Sequence, residues 1–319
     1  MQFDVKNEVL EAENRIRPHI RETPLEPSPY LSRLGDASVF LKLESNQITG
    51  SFKLRGALNK FLSLTADRQK EEVVSASSGN HAAALAYTLH KFGGRGVIYL
   101  PQSVSSAKVE ALRSYGVELK FFGDDCIQSE TLARETAAQT NRIFISPYND
   151  PKIIGGQGTV GIELRRQMDK LDAVLVPVGG GGLISGIAGY LKALDNHIEI
   201  IGCQPLNSAV MYASIRAGKI LELESKHTLA DGTAGGLEPD TVTFDICRNF
   251  VDDFILVSES EIRKAIIFSI EKHQILIEGA AALPIAAFIK GSKRFAGKNV
   301  ALIISGKKIN LEQLKEIIR

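Results

Sequence analysis

Tryptophan is missing from the 319 residues, and cysteine and methionine occur three times each. Cys126, Cys203 and Cys247 stand far apart, one is left over whatever the pairing, and no CxxC unit exists. A disulfide framework and a cysteine-based metal or redox motif are therefore excluded, and a reducing compartment is expected. Charge of one sign is lacking too: 38 Lys+Arg stand against 37 Asp+Glu, a formal charge of +1. Without a basic stripe there is no electrostatic footprint for DNA, RNA or an acidic membrane. No stretch approaches the roughly 18 uncharged apolar residues of a membrane span. The opening MQFDVKNEVLEAENRIRPHI mixes acids and bases where a signal peptide would carry an unbroken apolar core. The expectation is a cytoplasmic protein whose partner is a small molecule, with no nucleic acid and no membrane.

What is present is an alternation. The β-branched runs VFLKLE (39–44), VVSA (73–76), GVIYL (96–100), VELKFF (117–122) and IFIS (143–146) each precede a helical pattern. DAVLVPV (172–178), IEIIGCQ (198–204), FILVS (254–258) and NVALIIS (299–305) resume it. Most are apolar on both faces, the mark of parallel strands covered by helices, so an α/β fold is expected. Helix starts are expected at Ser51, at Asn80 and at Ser258, where Glu261 three residues on completes a capping box. No repeat, low-complexity tract or Pro/Ser-rich linker separates two autonomous halves, so two βα sheets interleaved in sequence fit better than beads on a string. Residues 218–243, rich in Gly, Thr and Asp, read as a long functional loop.

Three Gly- or Ser-rich segments fall where strands give way to helices, the place at which open α/β sheets bind ligands. In VPVGGGGLISG (176–186), Gly179, Gly180, Gly181 and Gly182 can present consecutive backbone N–H groups at a helix N-terminus, a cradle for phosphate. The GxGxxG spacing of a dinucleotide site and the GK[ST] ending of a triphosphate loop are both absent, which leaves the phosphate of a small cofactor. TGSFKLRGA (49–57) places Lys53 in the first turn of a helix. SASSGNHAAALA (75–86) sets Ser77, Ser78, Gly79 and Asn80 ahead of an Ala-rich helix, a nest for a carboxylate. Taken singly, these are equally a solvated lysine and a plain N-cap.

In this order, TGSFKLRGA, SSGNH, GGGGLISG and a late strand ending in Ser305-Gly306 resemble the tryptophan-synthase-like (fold type II) pyridoxal-phosphate enzymes, most closely serine/threonine dehydratases and serine racemase. The resemblance runs from about Arg15 to Asn310 and takes in PYNDPKIIGGQGTVGIEL (147–164) and IEGAAALPIA (277–286). It implies two interleaved open parallel-sheet domains with pyridoxal 5'-phosphate in the cleft between them. The large domain would comprise 1–71 and 150–319, and the small mobile one 72–149. It implies that Lys53 bonds the cofactor through its amine and then serves as base at Cα, and that Phe52 lies beside the ring. Asn80 would meet the phenolic oxygen, Gly179 to Gly182 the phosphate, and Ser305 the pyridine nitrogen. Ser77, Ser78, Gly79 and His81 would surround the substrate carboxylate, with Ser78 matching the acid/base that faces the lysine in racemases. The activity implied is that of an ammonia-lyase, eliminating water and ammonia from a β-hydroxy amino acid to give a 2-oxo acid. A serine at the ring nitrogen points the same way, since a neutral partner does not hold the ring protonated as a strong electron sink. Racemisation is the near alternative, and a nicotinamide-dependent oxidoreductase, without its fingerprint here, the distant one. A homodimer is expected.

The chain also departs from these relatives. Lys307-Lys308 follow Ser305-Gly306 where they carry Gly-Asn, and the loop ADGTAGGLEPDTVTFDICR (230–248) holds an extra GGLEP nearer to dehydratases of hydroxyectoine utilisation. That likeness implies a hydroxylated substrate more acidic than serine. Where many relatives bind a divalent cation, with an acid at the place of Gln204, a carbonyl at Ser208 and an aspartate at Val210, both charged ligands are missing. Hard cations need oxygen ligands, usually carboxylates, so no metal is expected.

Overall fold

The computed structural model describes residues 3–319 apart from Ser103, Ser105 and Asp125. Its strands are β1 (Leu25–Pro27), β2 (Ser38–Lys42), β3 (Glu72–Ala76), β4 (Arg95–Leu100), β5 (Glu118–Phe121), β6 (Ile143–Phe144), β7 (Ala173–Pro177), β8 (Glu199–Pro205), β9 (Asp253–Val257) and β10 (Asn299–Ile303). Six of them order as β1-β2-β10-β7-β8-β9 and four as β5-β4-β3-β6. All neighbours run parallel except β1, which pairs antiparallel with β2. This is the expected α/β architecture with one strand added. β1 has three residues and ends in Pro27, too short to show alternation and confined to a sheet edge. The sheets interleave because β2 pairs with β10, Ser38 to Lys42 lying against Asn299 to Ile303, while residues 72–144 supply the whole second sheet.

The period-two rule explains why β7 and β10 are apolar throughout. Leu175 and Leu302 point into a cluster with Leu283, Ile285 and Phe288 of the Gly279–Gly291 helix. Val174, Val176, Ala301 and Ile303 point the other way, into Ile184, Ile187 and Leu191 of the Gly182–Leu194 helix.

The Lys53–Leu62 helix buries Leu54, Ala57, Leu58 and Phe61, one stripe at helical spacing. The Pro151–Gln167 helix is capped by Asp150, whose Oδ1 accepts from the Lys152 and Ile153 N–H groups at 2.7 and 3.3 Å. Glycines of this helix and of the Gly182–Leu194 helix bring backbones together: a Cβ on Gly156 would lie 2.5 Å from the Arg55 carbonyl, and one on Gly186 would collide with that of Ile154. Buried charges tie the same elements. Arg55 Nε donates to Glu44 Oε2 at 2.7 Å and Nη1 to Glu163 Oε1 at 2.7 Å, while Lys42 Nζ donates to Glu163 Oε2 at 2.6 Å. Burial alone would raise the Glu163 carboxyl, but Arg55 and Lys42 hold it well below the usual carboxylate range.

Ser258 and Glu261 form the expected capping box. Two other helix starts differ from expectation. Ser51 is bridged to Gly306 instead of capping, and the helix begins at Lys53 behind Phe52. Asn80 is the first helical residue behind Gly79, because its amide is drawn to a distant partner. Cys203 and Cys247 carry buried free thiols, and the Cys126 side chain lies outside the described residues. Among the described residues no helix is long and apolar enough to cross a membrane.

Candidate active site

The four motif segments all leave the carboxyl ends of strands: 49–53 beyond β2, 77–80 beyond β3, 179–182 beyond β7 and 305–306 beyond β10. That is where parallel sheets open a crevice. Hydrogen bonds then draw the segments together. Phe52 N–H donates to the Ser305 carbonyl at 3.1 Å beside the Ser51–Gly306 bridge, which lays Lys53 against the end of β10. Lys53 Nζ donates to the Pro147 carbonyl at 2.7 Å and lies 5.2 Å from the centre of the Phe52 ring. Tyr148, the next residue, rests on the glycine row: a Cβ on Gly180 would fall 2.5 Å from its ring. Gly181 caps the Gly182–Leu194 helix at a φ of 87°, where a side chain would be strained. The Gly180 carbonyl is fixed by Thr243 Oγ1 at 2.7 Å.

Glu278 joins the remaining segments. Asn80 Nδ2 donates to both its carboxylate oxygens at 2.9 Å, and Lys308 N–H donates to Oε2 at 3.1 Å. A Cβ on Gly306 would fall 2.5 Å from Glu278 Oε1, so only glycine lets the carboxylate in. Sequence reasoning passes over Glu278 and Tyr148, although Glu278 is the lone acid of IEGAAALPIA, a signal in itself.

Burial pulls the Lys53 amine down to about 8, with Glu278 and Glu130 opposing. Burial likewise pushes Glu278 up to about 7. His81 is 2% exposed and its Nε2 faces the Ile145 carbonyl at 3.2 Å, so that nitrogen carries the proton and Nδ1 is an acceptor. Burial, and then the charge of Lys53, lower this imidazole to about 3. His81 is therefore a neutral ring, which leaves donors for an anion in this segment to backbone N–H groups and hydroxyls. Ser77 Oγ accepts from Gly79 N–H at 3.2 Å, and the Gly79 α-carbon faces open space. Gln204 has both ends engaged, Nε2 to the Val178 carbonyl at 3.2 Å and Oε1 from Tyr212 N–H at 2.9 Å, and Val210 is buried. Lys307 and Lys308 run along Gly50, their Cε atoms 3.5 and 4.0 Å from where its Cβ would stand.

Pyridoxal phosphate needs an amine for its aldehyde, polar partners for its phenol and ring nitrogen, and a cradle for its phosphate. The chain offers a partly neutral buried lysine, the glycine row, and the buried atoms Ser305 Oγ and Asn80 Oδ1, which have no hydrogen-bond partner in the protein. Buried polar atoms are rarely left so, and the set fits the cofactor.

The catabolic L-threonine dehydratase TdcB of Escherichia coli strain K12 is 38% identical over 313 residues, covering 98% of this chain and 95% of its own. Among solved structures, threonine deaminase isoform 2 of Solanum lycopersicum superposes with a TM-score of 0.93 at 30% identity, covering 99% of this chain and 93% of the other. Maize serine racemase superposes at 0.90 and 32%, covering 98% and 96%. The family described as pyridoxal-phosphate dependent enzyme matches residues 16–306, and this chain belongs to it.

Proposed function

We propose that the protein is an ammonia-lyase that removes water and then ammonia from a β-hydroxy amino acid of the serine, threonine or 3-hydroxyaspartate type, leaving a 2-oxo acid. The observation that carries this reading is Lys53: a half-buried side chain whose amine is held to a pKa of about 8, in a crevice where Asn80 and Ser305 also present unpartnered polar atoms. Likeness to threonine dehydratases along nearly the whole chain supports the same reading.

Pyridoxal phosphate, when bound, supplies an electrophilic aldehyde and an electron-withdrawing ring that acidify the Cα–H of an amino acid. The chain's residues do the rest. Gly179 to Gly182 would hold the phosphate with N–H groups at a helix start, where the helix dipole favours negative charge. Asn80 would meet the phenolic oxygen and Ser305 the ring nitrogen. Lys53 would hold the cofactor through its amine, and that amine is the base placed to take the Cα proton, a role suited to a pKa near the working pH. Ser77, Ser78 and Gly79 bind the substrate carboxylate through N–H and O–H donors, with neutral His81 shaping the same wall. The β-hydroxyl would then leave with a proton as water, and the released enamine, once protonated at Cβ to the imine, adds water and loses ammonia to give the 2-oxo acid. A hydroxyl at Ser305, in place of a carboxylate, disfavours transamination. Ser78 as an acid facing Lys53 would permit racemisation, a second outcome supported by the likeness to maize serine racemase. We further propose that 72–149 is a small domain closing on 1–71 and 150–319, and that the enzyme is a cytoplasmic homodimer.

The test measures ammonia and 2-oxo acid release from D- and L-serine, D- and L-threonine and the 3-hydroxyaspartates, with enantiomer composition followed in parallel. Stoichiometric ammonia and 2-oxo acid from at least one substrate is expected. Enantiomer interconversion without ammonia would replace elimination by racemisation.

A further inference from the structure

Glu238 lies in the GGLEP stretch of the long loop, and the mechanism above gives it no part. Its surroundings are specific. Arg134 Nη2 donates to Glu238 Oε1 at 2.6 Å, and Asn149 Nδ2 donates to Oε2 at 2.6 Å. Its backbone N–H donates to Tyr148 Oη at 2.8 Å. Arg134 also donates to Glu130 Oε1 through Nε at 3.1 Å and Nη2 at 2.7 Å, and its guanidinium lies 4.3 Å over the Phe144 ring.

These bonds join the two sheets. Arg134 and Glu130 stand on the Cys126–Gln139 helix, whose Ala133 and Ala137 pack with Val74, Ala76, Val97 and Tyr99 of β3 and β4. The loop runs on into the Val242–Phe250 helix, whose Phe244, Ile246 and Cys247 pack in the core of the six-stranded sheet. Where the two sides meet, they meet at the site. Tyr148 lies on Gly180, and Pro147, its neighbour in the chain, accepts from the Lys53 amine. Asn149 Oδ1 accepts from Val242 N–H at 3.1 Å, a second stitch of the same seam.

We infer that Glu238 is a positioning residue: by clasping Arg134 and Asn149 it binds the small-sheet helix to the loop of the large sheet and seats Tyr148 on the glycine row. This rests on the reading of Lys53 and the glycine row as the cofactor site. Charge-assisted bonds of this kind are strong only while both partners are held, so loosening either side releases the same clasp.

The test titrates the apoenzyme with pyridoxal phosphate alone, with no substrate present, for the parent, Glu238→Gln, Arg134→Gln and the double variant. Hydrogen exchange is followed over 126–139 and 235–243 in the same four proteins. Each single variant is expected to bind pyridoxal phosphate about tenfold more weakly. The double variant should lose no more than either single one, since one clasp is broken only once. Exchange should quicken in both segments together while the Gly182–Leu194 helix stays protected. Additive losses, or affinities within twofold of the parent, would overturn the inference. A parent that binds no pyridoxal phosphate refutes the cofactor reading instead, and the exchange data then judge the clasp alone: unchanged exchange in either segment of Glu238→Gln rejects it.

Discussion

Lys53 is held in a state that water would not give it. Its amine has a pKa of about 8 in the fold against 10.5 for an ordinary lysine. Between those values the unfolded chain binds more protons, so stability rises with pH through the window and the penalty is fully present below pH 8. At its upper bound that penalty is about 3 kcal/mol. Replacing the lysine by an apolar side chain of similar length removes it but leaves the Pro147 carbonyl without its donor. Lys53→Met is therefore expected to stabilise the apoenzyme at pH 7 by about 1–2 kcal/mol in urea melts, a gain that shrinks as pH approaches 10.5. A gain that does not change with pH would mean that Lys53 is an ordinary surface amine. Glu278 acts in the opposite sense in a lower window. Raised to about 7 by burial, it costs stability as pH climbs from about 4.5 to 7.

Among the elements, the Lys53–Leu62 helix is held both by its apolar stripe and by Arg55, two residues beyond the lysine. Glu163 answers Arg55, Lys42 and Arg17 at once, and the Glu163, Arg55 and Lys42 side chains are fully buried. Glu163→Gln puts one neutral oxygen where Arg55, Lys42 and Arg17 shared a carboxylate, and a cost of about 3–5 kcal/mol is expected in chemical denaturation. A loss under about 1 kcal/mol would show that water replaces the carboxylate, as at a surface pair. None of this network is legible in the sequence, because its members are joined across 108 and 121 residues. Local physics reads more easily. Strands buried on both faces, the Ser258 capping box and the glycine row can each be placed from a few neighbouring letters. The starts at Ser51 and Asn80 mislead for one reason: both residues have capping chemistry, and both are taken by tertiary partners, Gly306 and Glu278. The Pro151–Gln167 helix hides in another way, since its four glycines oppose helix propensity and serve close packing instead: Gly155 admits Glu8, Gly156 admits Arg55, Gly158 admits Val9 and Gly186, and Gly161 admits Tyr190.

At the scale of the molecule, the site borrows from both sheets, Asn80 from one and the glycine row, Lys53 and Ser305 from the other. A ligand spanning them should protect both. Pyridoxal phosphate at about 100 times its Kd adds about 2.7 kcal/mol. For a chain of this length that is a rise in Tm of about 4 °C. Hydrogen exchange should slow at the starts of both the Asn80–Phe92 and Gly182–Leu194 helices, and protection of one alone would place the ligand on a single sheet. The pairing of β2 with β10 has a different consequence. Residues 38–42 leave the ribosome some 260 positions before their neighbours at 299–303, so no order of synthesis lets the six-stranded sheet close early. The 72–144 sheet can mature while translation continues. The half carrying Lys53 must wait, its apolar strands in need of chaperone cover until the last strand emerges.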